Sequence, residues 1–249
     1  MPYTAVATST TPVLIIYLLD ISGSMSQPLG DKRRVEIVSD ALQEIATEMV
    51  ARSTKGESVS PRYRLAIYAY ESQVHDVLGG IRTIDQFVRD GVPEFSPRGG
   101  TNTAGAFLAA EQLLNQELPY MQGHPAPLIC HMTDGEYQGD DPTPIVQRIM
   151  GMGTGDGNVL VENIFISDKI LKQPVDDVFS WPGVINESDL ATDYARALVR
   201  MSSPIPDSYH GEMLEFGYQL QPGAPMMFPA QNKELIRMAF TMSGATPVA

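Results

Sequence analysis

The chain has 249 residues, enough for one large α/β domain or one domain with an appendage, and its 43% hydrophobic and 19% charged residues allow a sizeable core. Lys and Arg number 17 against 30 Asp and Glu, so the formal charge is −13; phosphate backbones would be repelled, which excludes nucleic acid as an expected partner but leaves cation binding open. Cys130 is the only cysteine, so neither an internal disulfide nor a cysteine-built metal site is available. No apolar run approaches a membrane span, and Met1 to Thr11 lacks the basic region and apolar core of a secretory signal. The expectation is a cytoplasmic protein in a reducing compartment, with no membrane partner.

Residues 1–11 are Thr-, Ser- and Ala-rich and read as a loose lead-in. Val13 to Leu19 is a β-branched and leucine-rich run, the pattern of a buried strand. It ends on Asp20, and Asp20, Ser22 and Ser24 then set three oxygen-bearing side chains at alternate positions, with Gly23 easing the turn. Such oxygens suit a hard divalent cation; the plainer alternative is a strand end closed by an Asx-turn, with a serine capping the next helix. Past Gln27 to Gly30, the apolar positions Val35, Val38, Leu42, Ile45 and Met49 recur at three- and four-residue steps, predicting a long helix with one buried stripe. Tyr63 to Tyr70 predicts a strand, and Val74 to Leu78 a short companion after a turn too tight for anything but antiparallel pairing.

Thr83 to Gln86 reads as a capping box. The loop Pro93 to Gly100 delivers Thr101, and Asn102 or Thr103 can cap a helix through Phe107, Leu108 and Leu114. Leu128 to Met132 is a further apolar strand, ending in Thr133, Asp134 and Gly135, and Thr143–Pro144 opens a helix to about Met150. The glycine-rich stretch Gly151 to Gly157 follows a helix rather than a strand and lacks both phosphate-loop spacings, so it reads as a link into a strand from Val159 to Ile166. Asp168 to Gly183 reads as irregular, followed by a strand at Val184–Ile185 and a helix capped by Ser188. Beyond residue 202, the alternation of Leu214, Phe216, Tyr218 and Leu220 with polar residues predicts a strand, and Asn232 to Met242 a short helix.

Three stretches taken together, D-x-S-x-S at Asp20 to Ser24, G-G-T at Gly99 to Thr101, and T-D-G at Thr133 to Gly135, resemble the von Willebrand factor A (VWA) domain with its metal-ion-dependent adhesion site. The resemblance spans about residues 10 to 200. It implies a doubly wound, mostly parallel α/β sheet with one antiparallel edge strand and helices on both faces, in which ligands gather beyond the strand carboxyl ends. It also implies that Ser22, Ser24 and Thr101 contact Mg²⁺ or Mn²⁺ through hydroxyls, with Asp20 and Asp134 acting through water or by orienting them. The expected division is a lead-in over 1–11, the VWA domain over 12–202, and a C-terminal extension over 203–249 that packs on it as a strand and a short helix.

The function expected is binding rather than catalysis: a partner protein supplies an Asp or Glu carboxylate to an ion left short of negative charge. An aspartyl phosphoryl-transfer enzyme is the alternative, but the position two residues after Asp20 holds Ser22 in place of an acid–base carboxylate. A serine hydrolase lacks its G-x-S-x-G elbow. His75, His124, His131 and His210 show no ligand spacing. The chain looks like the compact, intracellular, stand-alone bacterial VWA proteins of the tellurite-resistance and stress-response type, which implies AAA+ ATPases or kinase and phosphatase complexes as partners.

Overall fold

β1 (Val13–Asp20) is eight residues long and buried along its whole length, which is possible only for a strand paired on both sides and covered on both faces. In the computed structural model, which describes residues 3–56, 58–167 and 170–248, its neighbours are β2 (Tyr63–Tyr70) and β5 (Leu128–Thr133), both parallel to it. Outside β5 lie β6 (Leu160–Phe165) and then β7 (Met227–Pro229), again parallel. At the other edge, β3 (Val74–Asp76) and β4 (Arg82–Thr83) both pair antiparallel with β2. The seven-stranded sheet therefore runs β7-β6-β5-β1-β2-β3, with β4 beside β3 on the same edge. The antiparallel edge is split into two short segments because Gly79 and Gly80 turn the chain between them with positive φ.

Alternation along β1 divides the core. Val13, Ile15, Tyr17 and Leu19 face one layer with α1 (Arg34–Ser53), α2 (Ile84–Asp90), α6 (Asp207–Glu215) and α7 (Lys233–Ser243). Leu14, Ile16 and Leu18 face the other, with α3 (Thr103–Glu117), α4 (Thr143–Met150) and α5 (Asp193–Arg200). The stripe Val35, Val38, Leu42, Ile45 and Met49 is buried as its spacing predicts. This is the Rossmann-like α/β fold, with helices on both faces of a mostly parallel sheet. The strand order reverses at β1, so the crevice beyond the carboxyl ends of β1 and β5 is the topological switch point.

Several local expectations are corrected. Val184 and Ile185 form no strand, and Ser188 lies inside a 3₁₀ turn, Glu187–Asp189. The cap of α5 is Thr192, whose hydroxyl accepts the Ala195 N–H at 3.0 Å. The segment Leu214 to Leu220 is the end of α6 and a turn rather than a strand. Gly217, at φ 88°, takes the left-handed conformation, while its N–H reaches the Leu214 carbonyl and the Tyr218 N–H that of Met213. That pairing is a Schellman closure, with Met213 and Tyr218 buried together, so the apolar alternation was a coincidence of helix and turn. The extension's strand is β7, three residues that tolerate Pro229 because they lie at a sheet edge.

Residues 3–11 are tied down. The Asp156 carboxylate accepts the N–H groups of Thr4 and Ala5, both at 2.8 Å, and Ala7 bridges to Val248. Gly151 to Gly157 is a tight turn, the Thr154 N–H donating to the Gly157 carbonyl at 2.9 Å. Of the irregular segment read from Asp168 to Gly183, Asp168 and Lys169 lie outside the described residues.

Candidate metal centre

Asp20 is the last residue of β1 and only 1% exposed. Its Oδ1 accepts the backbone N–H of Ser22 at 2.8 Å, the turn that an aspartate at a strand end favours. Its Oδ2 accepts the hydroxyl of Thr133, at the end of the adjacent strand β5, at 2.7 Å. From Ser22 the polar chain continues: Ser22 Oγ lies 3.0 Å from Ser24 Oγ, and Ser24 Oγ donates to Asp134 Oδ1 at 2.7 Å. The second oxygen of Asp134 accepts Nη1 of Arg34, the first residue of α1, at 2.6 Å. Asp20, Ser22, Ser24 and Asp134 thus stand in one connected cluster although 110 residues separate Ser24 from Asp134.

The third segment is the loop before α3. Arg98 N–H donates to the Ile21 carbonyl at 2.8 Å and Gly23 N–H to the Gly99 carbonyl at 3.2 Å, lacing this loop to the turn after β1. Gly99 has φ 66°, a conformation that favours glycine, and a Cβ there would stand 2.6 Å from Glu71 Oε2 and 2.9 Å from Ser72 Oγ, so a substitution would be strained and would displace those side-chain ends. Thr101 is 7% exposed, and its carbonyl accepts the Gln138 N–H at 2.8 Å, binding this loop to the one that follows Asp134. Asn102 caps α3 through Oδ1, which accepts the Gly105 N–H at 2.9 Å.

Electrostatics single out Asp20. Burial is the main cause that pushes its carboxyl up to about 6, and nearby Asp134 adds to it, while bonds from Ser22 and Thr133 pull the other way. Among the described residues no lysine or arginine forms an ion pair with it. A buried carboxylate held in place by donors but lacking a cation is a position that a cation would relieve. The donor set is oxygen throughout, hydroxyl and carboxylate, which fits a hard divalent ion. Adjacent ligands of an octahedral Mg²⁺ at 2.0–2.1 Å lie about 2.9 Å from one another, and the two serine hydroxyls are 3.0 Å apart. The residues present fit the ion. Among the described residues no group of three or more His, Cys, Asp or Glu gathers as a metal site, so this cluster depends on its hydroxyls.

Two residues of the cluster escape a reading of the sequence. Thr133 lies within the T-D-G stretch, yet its hydroxyl matters only because β5 pairs with β1. Arg34 carried one signal: a cation in the first turn of a helix opposes the helix dipole.

Residues 15–136, just under half of the chain, match the model of the von Willebrand factor type A domain, and the fold around them is the Rossmann-like fold of that family. Among solved structures, proximal thread matrix protein 1 from the mussel byssus, with a zinc-occupied metal-ion-dependent adhesion site, shares 13% identity at a TM-score of 0.54 over 94% of this chain and 47% of its own. The SpRpn10 VWA domain shares 12% identity at a TM-score of 0.54, covering 96% of this chain and 99% of that one. The pilus adhesin SpaC from Lactobacillus rhamnosus GG gives a TM-score of 0.59 at 12% identity, covering 95% of this chain and 31% of the adhesin. Likeness at these identities is likeness of fold. The chain spans about half of the mussel protein and under a third of the adhesin. No curated protein matches the sequence.

Proposed function

We propose that this chain is a metal-dependent protein-binding module whose site takes Mg²⁺ or Mn²⁺ together with an Asp or Glu side chain of a partner. Ser22, Ser24 and Thr101 are the hydroxyls that hold the ion, and Asp20 and Asp134 orient them and balance part of its charge. When bound, the ion supplies a coordination position open to an external carboxylate, with its own charge incompletely neutralised. The observation that carries the reading is Asp20, buried and without a cation at the head of a chain of hydroxyls that ends on a second carboxylate. The zinc-occupied site in the mussel byssus protein, on the same fold, supports it.

Nothing in this role requires a bond to be made or broken; the side chains position and discriminate. Ser24 is the half-buried member of the cluster, at the carboxyl end of the sheet, and a partner would approach from that side. The setting we propose is a cytoplasmic complex of the tellurite-resistance or stress-response kind, with an AAA+ ATPase or a kinase and phosphatase pair as the protein partner. The test is affinity capture with Mn²⁺ and with EDTA, the bound proteins being identified by mass spectrometry. Candidate acids of the partner are then changed singly to amides. A metal-dependent partner that loses binding when one acid becomes an amide supports the reading. A partner held equally with and without EDTA, or one that no such change weakens, overturns it.

A further inference from the structure

We infer that Arg34 is a built-in competitor for the metal site: its guanidinium holds Asp134 while the site is free of metal and has to release it for a divalent cation to load. The inference rests on the proposed metal-binding role, and four observations carry it. The Arg34–Asp134 pair is sheltered, the Asp134 side chain being fully buried and that of Arg34 only 14% exposed, so water and salt screen it little. Both Asp134 oxygens are committed, Oδ1 to Ser24 and Oδ2 to Arg34. A divalent ion drawing on Ser24 and Asp134 would share one carboxylate with a guanidinium, and two like charges at that distance repel.

The third observation is position. Arg34 opens α1, where the helix dipole disfavours a cation. Its neighbour Arg33 is compensated by Glu36 at 2.8 Å, whereas the compensating charge for Arg34 is Asp134, 100 residues away. The fourth is an incompletely satisfied donor: Arg34 Nε is buried without a hydrogen-bond partner. Withdrawing the side chain toward solvent would hydrate that donor, which lowers the cost of leaving. A site built this way is held shut by its own cation, and metal loading is coupled to the N-terminal turn of α1.

Mn²⁺ titration of the full chain by isothermal calorimetry, at fixed pH and ionic strength, tests this with the wild type, Arg34→Gln and Arg34→Lys. Removing the competing charge in Arg34→Gln is expected to tighten Mn²⁺ binding about tenfold, equivalent to about 1.4 kcal/mol, and to lower the melting temperature without metal. Arg34→Lys, which keeps the charge but loses the planar fork, is expected to fall between the two and decides the matter should Arg34→Gln fail to fold. Equal or weaker Mn²⁺ binding by the folded variants, with a wild type that binds, overturns the role of Arg34 and leaves the metal site standing. If neither wild type nor variants bind Mn²⁺, both readings fall together.

Discussion

The hydroxyl of Thr133 reaches across from the end of β5 to the carboxylate of Asp20 at the end of β1, 2.7 Å away, and so fastens one strand end to the next at the mouth of the sheet. The same hydroxyl accepts the Gly135 N–H at 3.3 Å, which shapes the turn that carries Asp134. One side chain thus sets the position of both carboxylates. Thr133→Val keeps the volume and removes the bond, leaving a buried acceptor short of a donor. Such a loss costs about 1–3 kcal/mol, readable as a lower midpoint in chemical denaturation of the metal-free protein, with weaker Mn²⁺ binding beside it. Unchanged stability and unchanged binding would show the bond to be dispensable.

Mg²⁺ or Mn²⁺ is expected to raise the melting temperature of the wild type, and Asp20→Ala and Asp134→Ala to lose that response. An ion bound only by the native state stabilises it by about 2.7 kcal/mol at a hundredfold excess over Kd. Thermal scans over a metal series read this directly. An identical shift in the variants would place the ion elsewhere on the acidic surface.

Glu162 offers a stability test away from the site. It is fully buried, both carboxylate oxygens lack a partner, and the weakly donating thiol of Cys130 is opposite it in register on β5. Burial holds its carboxyl well above the ordinary value, so the folded chain keeps a proton that the unfolded chain gives up above about pH 4.5. Stability from this group is therefore full at low pH and lost as pH rises. Glu162→Gln is expected to stabilise the protein at pH 7 and above, with the advantage shrinking toward pH 4. A variant less stable than wild type at every pH would sink the idea.

His131 pulls in the opposite direction. It is buried between Tyr70 and Asn163, its Nε2 2.7 Å from the Tyr70 hydroxyl and its Nδ1 2.7 Å from Asn163 Oδ1. The Asn163 amide nitrogen donates to the Met201 carbonyl at 3.0 Å, which leaves Oδ1 to accept and sets the histidine proton on Nδ1. Burial depresses its pKa from 6.5 to about 4. The unfolded chain takes up this proton first, so stability is complete above pH 6.5 and falls as pH drops through 4, by roughly 3 kcal/mol in all. His131→Gln should be less stable at pH 7 but show a flatter slope between pH 6.5 and 5. Parallel slopes would contradict the assignment.

Truncation after Ser202 removes α6, β7 and α7, and with them the buried Met213, Phe228, Leu235, Met238 and Phe240. The layer over α1 and one sheet edge would be uncovered, so the remnant is expected to melt lower and aggregate. A soluble remnant with unchanged melting, obtained after proteolysis or truncation, would mean that the extension serves a partner instead.

What the sequence discloses depends on how local the cause is. The β1 run, the α1 stripe, a cap at Asn102 or Thr103 and the D-x-S-x-S turn are each set by neighbours within a few residues; a mostly parallel sheet follows from the alternation of strands and helices, and its doubly wound form from the family resemblance. The link between Asp20 and Thr133 exists only because Leu19 pairs with Met132 across two strands, a register that no short window contains. The contact of Arg34 with Asp134 is equally non-local. At Leu214 to Leu220 the local signal misled, because side chains on the last turn of a helix and on a Schellman turn happen to alternate. Gly217, with its positive φ, was the available clue.

The two margins of the sheet are short. β7 offers three residues and finishes on Pro229, which has no N–H to give, while β3 offers three and β4 two. β3 and β4 are too brief to template a neighbouring strand, the ordinary route to edge-to-edge aggregation and swapping, and the three residues of β7 are buried. Assembly through backbone augmentation is therefore disfavoured at both margins. On the function proposed above, recognition would then fall to side chains, where it can be made conditional on an ion.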